Sequence, residues 1–148
     1  TEYQKQALAA PSTALPTDME WPDIYNIFPE TYSTESRARD DFDELVTCQA
    51  HQIYHNHGSR TIGGIVHYLK ERKEQFDRWS RTLFEFQNAP MTVIWGEQDP
   101  VAVIAMADRI KKQRPVTDLY KYPDSGHWPS IEYPDRIGDA IIARLGSV

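Results

Sequence analysis

The stretch that decides the fold is Met91-Thr92-Val93-Ile94-Trp95-Gly96-Glu97-Gln98-Asp99-Pro100. A short apolar, partly β-branched run stops abruptly at a glycine, as a buried parallel strand does on reaching the edge of its sheet. Toward the carboxyl terminus, Val103, Met106, Ala107 and Ile110 recur at helical spacing. Leu119-Tyr120-Lys121-Tyr122 then reads as a second strand, a polar loop spans Pro123 to Pro134, and Ile137, Ile141 and Leu145 mark a closing amphipathic helix. The order strand, helix, strand, helix implies parallel strands joined by right-handed crossovers, an α/β doubly wound sheet. Two strands are too few for such a sheet, which is normally flanked by neighbours and covered on both faces, so something else is expected to complete it.

Toward the amino terminus the character changes. Residues 1–33 carry Pro11, Pro16, Pro22 and Pro29 with little apolar periodicity and read as an irregular wrap around one short helix. Ser33 and Thr34 are good N-cap residues for a helix running to about His55, with Phe42, Leu45, Val46 and Ile53 on one side and Gly58 beyond its end. A second helix is expected over 64–86, its stripe made of Ile65, Leu69, Phe76, Trp79, Leu83 and Phe86. Arg72 fills the gap in that stripe, most simply as a stem on apolar surface with its head in water, and Lys70, Glu71, Lys73 and Glu74 read as a solvated face. The chain thus divides into a helical region, 1–87, and a strand-helix-strand-helix tail, 88–148.

With 148 residues, 40% hydrophobic and 26% charged, the chain has the composition of a globular domain with a buried core. A net charge of -6 argues against nucleic-acid or anionic-membrane partners, which attract an excess of Lys and Arg. A small molecule or another polypeptide fits better. Cys48 is the one cysteine, so no internal disulfide forms; its place in a helical pattern reads as a buried small apolar residue. No apolar run reaches the roughly 18 residues of a membrane-spanning helix, and Thr1 to Gln6 lacks the regions of a signal peptide, which leaves the cytoplasm as the default location. The first residue is Thr rather than Met, as expected of an amino terminus made by processing or proteolysis, or of a sequence that begins partway through a longer product.

Two loops carry candidate chemistry. In Gly96-Glu97-Gln98-Asp99 a strand ends at glycine and delivers a carboxylate just beyond its carboxyl end, the edge where open α/β sheets hold their ligands. In Asp124-Ser125-Gly126-His127-Trp128-Pro129 a histidine sits after the next strand, between a glycine and a bulky indole. Parallel strands bring both loops to one edge, where Asp99 can fix the tautomer of the His127 imidazole and stabilise imidazolium. Alone, the first motif would be a plain turn and the second a structural histidine. Together, in this order, they resemble the end of an α/β-hydrolase, in which a Gly-x-x-Asp turn supplies the acid and a Gly-His loop the base.

The resemblance implies that residues 1–87 are the helical cap often inserted before the acid-bearing strand. It is nearest to the epoxide-hydrolase and haloalkane-dehalogenase branch. Within that branch Tyr68-Leu69-Lys70-Glu71-Arg72-Lys73 and Arg78-Trp79, followed by the Gly96 to Pro100 turn, are most similar to proteins related to the mesoderm-specific transcript. The glycines stand at 58, 63, 64, 96, 126, 138 and 146, no two of them four apart, so no Gly-x-Ser-x-Gly elbow and no Gly-flanked Asp or Cys elbow occurs. The nucleophile, Ser or Asp, is expected from an N-terminal hydrolase segment or a second chain. Ser125, two residues before His127, reads as a loop hydrogen-bonder.

The expected activity is hydrolysis of a small, mostly apolar ester, epoxide or haloalkane. The alternatives are a non-catalytic binding or scaffold protein derived from a hydrolase, and an oligomer whose copies complete each other's sheets. No cofactor is called for. His51 and His55 lie one helical turn apart with His57 close by, but the glutamate of a His-Glu-x-x-His site is absent and a closed zinc site needs four ligands, so exposed or capping roles are expected and no metal. Trp21, Tyr25, Phe28, Tyr32 and Tyr54 either line a substrate pocket, where the resemblance has cap tyrosines polarise an epoxide oxygen, or pack as cap core. Packing alone would account for Trp95 and Trp128.

Overall fold

Two parallel strands, β1 (Thr92–Gly96) and β2 (Asp118–Tyr122), pair in the register Thr92↔Asp118 through Gly96↔Tyr122, with the crossover helix Ile104–Gln113 between them in sequence. A computed structural model describes residues 19–66, 68–85 and 88–146. The expected wrap over 1–18 and the stripe residue Phe86 lie outside them. In chain order the helices are α1 (Trp21–Tyr25), α2 (Thr34–Arg37), α3 (Phe42–Tyr54), α4 (Ser59–Val66), α5 (Tyr68–Glu74), α6 (Phe76–Glu85), α7 (Ile104–Gln113), α8 (Pro129–Glu132) and α9 (Pro134–Leu145), with short 3-10 turns at Pro29–Thr31 and His55–His57.

The chain separates into two compact units. One joins residues 29–45 to 88–146, and the other joins 19–28 to 46–85. Residues 29–45, expected in the helical region, therefore pack with the strand-bearing tail.

In the strand-bearing unit the polar ends of the strands are pinned at both edges. At the amino-terminal edge the buried Arg114 guanidinium donates to the Ala89 carbonyl at 2.6 Å, and Arg144 of α9 donates to Thr92 Oγ1 at 3.2 Å and pairs with Asp118. Lys111 and Lys112 sit in the last turn of α7, where the helix dipole favours cations, and Lys111 donates to the Thr117 carbonyl at 2.7 Å. Ala107 of α7 and Ile137 of α9 are buried. The strand β1 is only half-buried from Thr92 to Trp95 and fully buried at Gly96 alone, because a two-stranded sheet leaves it an edge without a neighbouring strand among the described residues.

Two helices differ from expectation. Ser33 caps α2, accepting from Ser36 N–H at 3.1 Å, but the expected helix over 34–55 breaks after Arg37. Arg39 grips Asp41 with two hydrogen bonds of 2.8 and 2.6 Å and donates to the Glu132 carbonyl at 2.7 Å, contacts that hold 38–41 as a turn. These outweigh the modest helical preference of the segment. The chain resumes as α3, with Val46, Gln49 and Ala50 buried on one face. Cys48 lies on the opposite face and is exposed, correcting its assignment to the core.

The helix expected over 64–86 begins earlier, at Ser59, and consists of α4, α5 and α6 in succession. Its apolar stripe forms but is not covered within its unit, Trp79 being 44% exposed and Ile65 63%. Arg72 is exposed, as its solvated reading requires. In the same unit Ile24 and Phe28 are buried, and Trp21 packs against His51, Tyr54 and Tyr25 with ring centroids 4.6, 5.5 and 6.3 Å away. Tyr32 belongs to the other unit, edge-on to Phe42 at 5.3 Å. Among the described residues no helix is long and apolar enough to cross a membrane, and no group of three or more His, Cys, Asp or Glu stands where it can hold a metal ion.

Candidate active site

Beyond the carboxyl ends of β1 and β2 the two chemistry-bearing loops are locked together by backbone. Glu97 N–H donates to the Tyr122 carbonyl and Gln98 N–H to the Ser125 carbonyl, each at 2.9 Å. Gly96 lies so close to the histidine loop that a Cβ there would stand 2.1 Å from the Gly126 carbonyl oxygen. This is why the strand ends in glycine, since any side chain would separate the loops. Gly126 faces the same constraint on its other side, where a Cβ would come within 2.5 Å of the Thr31 carbonyl oxygen.

Asp99 is 8% exposed. Its Oδ1 accepts from the N–H groups of Val101 and Ala102, both at 2.8 Å, so the turn after β1 closes on its own carboxylate. Its Oδ2 meets Nδ1 of His127 at 2.8 Å. Because the carboxylate is already an acceptor twice over, the hydrogen in this third contact belongs to the imidazole, and Nδ1 donates. That arrangement leaves Nε2 on the far side of the ring as the nitrogen able to take and return a proton. The imidazole is aimed from three directions. Its backbone N–H donates to the Thr31 carbonyl at 2.7 Å, the Trp128 ring stands edge-on to it at 4.7 Å, and Trp128 Nε1 is tied to Thr31 Oγ1 at 2.7 Å. Trp95 is fixed separately, through Nε1 to the Ala102 carbonyl at 2.7 Å.

The two candidate residues expected to meet, Asp99 and His127, are thus brought together, and Ser125 is a fully buried hydrogen-bonder of the loop. The three histidines of the helical unit line one groove with Glu20 and Tyr54, but among the described residues they form no group that can hold a metal ion; His51 packs on Trp21, and His55 and His57 flank Asn56 in a 3-10 turn. Two residues of the constellation gave no signal in the sequence. Gln98 bridges to the helical segment by accepting from Thr34 N–H at 2.8 Å and donating to Glu35 at 2.7 Å and to the Pro123 carbonyl at 2.9 Å. Glu132, 1% exposed, sits behind the histidine loop. Neither a lone Gln in a turn nor a Glu between two prolines is distinguishable locally from a surface residue. Nearby, the Arg136 guanidinium 2.6 Å from Asp124 holds that carboxyl below its ordinary value and is itself raised by the same bond, while stacking over Tyr122 and Tyr133 at 4.9 and 4.7 Å.

Known proteins resemble this chain at several levels. LipZ of Mycobacterium tuberculosis, a protein named as a hydrolase, is 29% identical over 93 residues, which is 63% of this chain and 32% of LipZ. A thermophilic esterase from Thermogutta terrifontis, solved with malate bound, superposes with a TM-score of 0.72 at 18% identity, covering 99% of this chain and 49% of the esterase. The chain therefore spans about a third of the curated relative and about half of the esterase. The sequence pattern of the α/β-hydrolase fold matches residues 7–134. With residues 7–134 matched, most of its length, the chain belongs to the α/β-hydrolase fold family.

Proposed function

We propose that this chain supplies the acid and the base of a hydrolase whose nucleophile comes from an upstream hydrolase segment or a second polypeptide. The observation that carries the proposal is the 2.8 Å bond between Asp99 Oδ2 and His127 Nδ1 at the carboxyl edge of a parallel sheet. Asp99 holds the imidazole tautomer and stabilises the imidazolium, and Nε2 moves the proton. Against an ester, Nε2 takes the proton of a serine hydroxyl as its oxygen attacks the acyl carbon, then returns it to the departing alkoxide. In the second half it takes a proton from water as the water oxygen attacks the acyl carbon, then returns it to the serine oxygen as the acyl–serine bond breaks and the acid leaves. With an aspartate nucleophile, the carboxylate displaces a halide ion, or opens an epoxide whose oxygen takes a proton from an acid outside the Asp99–His127 pair; Nε2 then takes a proton from water attacking the ester carbonyl and passes it to the departing alkoxide, which restores the aspartate.

Two features support a partner segment. The sheet has two strands among the described residues, and an open groove along β1 and α9 is lined by Pro90, Thr92, Ile94, Ile141 and Leu145, a surface suited to further core elements. The helices of 46–85 play the part of the lid in this proposal. An ester is favoured by the name of the Thermogutta terrifontis esterase, an epoxide or haloalkane by the motif resemblance around Tyr68 to Trp79.

Native and denaturing mass spectrometry of one preparation tests whether a polypeptide with an elbow motif accompanies this chain. In the assembled hydrolase His127→Ala and Asp99→Asn are each expected to lower turnover by about 10⁴-fold or more. Unchanged turnover in either variant overturns the assignment, and a stable chain with no partner and no activity favours the scaffold role.

A further inference from the structure

We infer that Glu132 is a positioning residue that sets the aim of His127 by holding the backbone on both sides of it. The inference rests on the acid and base assigned above. Its Oε1 accepts from Gly126 N–H at 2.9 Å, Trp128 N–H at 3.2 Å and Ser125 Oγ at 3.3 Å, and its Oε2 accepts from Ser33 N–H at 3.0 Å and Ser36 Oγ at 2.8 Å. The carboxylate is buried, and three of its five partners are backbone donors that cannot turn to accept. The residues immediately before and after His127 are tied to one oxygen, and the segment that receives His127 N–H, through Thr31, is tied to the other by way of Ser33 and Ser36.

Glu132 therefore spaces the histidine loop from the 31–36 segment. A buried carboxylate is costly unless fully hydrogen-bonded, and here it is used as a bracket around the one loop that must hold an imidazole to a fraction of an ångström. Removing a charge that touches neither substrate nor imidazole should therefore act on the chemical step.

The test is Glu132→Gln, which keeps the shape but, whichever oxygen is replaced, turns an amide NH₂ toward at least one backbone N–H that can only donate. The Nδ1 proton of His127, protected by its bond to Asp99, is followed by NMR in the 148-residue chain, and kcat and KM are measured in the assembled hydrolase. The expected result is loss of the protected proton signal and a fall in kcat of about 100-fold, the cost of misplacing a reacting group by about 1 Å, with KM within about twofold. Ile24→Val, a core change in the other unit, should leave both unchanged and thus separates positioning from general destabilisation.

Where Glu132→Gln does not fold, Ser36→Ala decides, since it removes one donor and keeps the charge; it should speed exchange of the same proton. Retention of the proton signal and of kcat in Glu132→Gln, or an unaltered exchange rate in Ser36→Ala, overturns the inference. His127→Ala is measured alongside. If that variant keeps its turnover, the catalytic assignment fails; if it is inactive while Glu132→Gln is normal, the positioning role alone fails.

Discussion

Replacing Gly96 by alanine adds one methyl group at the point where the strand and the histidine loop touch, and the geometry sets its effect. The new carbon would lie 2.1 Å from the Gly126 carbonyl oxygen and 2.5 Å from that of Ser125. Ordinary contact begins near about 3.5 Å, so the loop must retreat by roughly 1 Å. Both obstacles are backbone atoms and cannot swing aside like the tip of a side chain. The bond between Asp99 and His127 is 2.8 Å long, and a hydrogen bond is lost by about 3.6 Å, so that retreat separates the pair. Overpacking of this kind costs about 1–3 kcal/mol of stability. Turnover in the assembled hydrolase should fall by about 100-fold. Thermal melting and the exchange of the His127 Nδ1 proton measure the two effects on the chain itself. A Gly96→Ala protein with an unchanged melting temperature and a retained, protected proton would refute the close approach and the reasoning built on it.

Two further outcomes follow from packing and charge. Arg136 depresses the native value of the Asp124 carboxyl, so the pair's stabilisation is complete above the unfolded value of about 3.9 and disappears as pH falls through the lower native value. Asp124→Asn should accordingly melt below the parent at pH 7 and converge with it in strong acid, and a gap of equal size at every pH would contradict the pairing. Ile24, fully buried, should cost about 2–5 kcal/mol when cut to alanine, read from denaturant midpoints at constant slope; a loss under about 0.5 kcal/mol would remove it from the core.

What could be read from the sequence and what could not divide along the distance over which each contact acts. The strands and the helices α7 and α9 follow from apolar spacing within a dozen residues, and β1 differs from expectation in leaving out Met91 and taking in Gly96, which remains in register with Tyr122. The break after Arg37 is not legible in full, because one of the contacts that hold the turn, the bond from Arg39 to the Glu132 carbonyl, joins residues 93 apart, beyond the local bonds to Asp41. Cys48 was misplaced for a related reason. Its helical pattern was correct, yet Val46, Gln49 and Ala50 define the buried face, and the polar Gln49 hides that face from hydrophobic periodicity.

The same distinction explains why the meeting of Asp99 with His127 is legible in the sequence while the groups that aim the imidazole are not. A glycine-terminated strand followed by Asp, and a second strand followed by Gly-His, are local patterns, and parallel pairing then requires the two loops to share an edge. The aim of the imidazole depends instead on Thr31, Ser33 and Ser36, which reach His127, Trp128 and Glu132 across 96 to 99 residues. Residues 29–45 belong to the strand-bearing unit for that reason, although their composition groups them with the helices that follow. A boundary drawn where strand character begins therefore cuts through the support of the histidine loop. Truncating the chain at residue 88 to isolate the tail would remove the Thr31 carbonyl and the donors on Glu132 Oε2 together, and the protected Nδ1 proton of His127 would vanish with them. A fragment 88–148 that kept that proton would show that the tail aims its own histidine and that the contribution of 31–36 is dispensable.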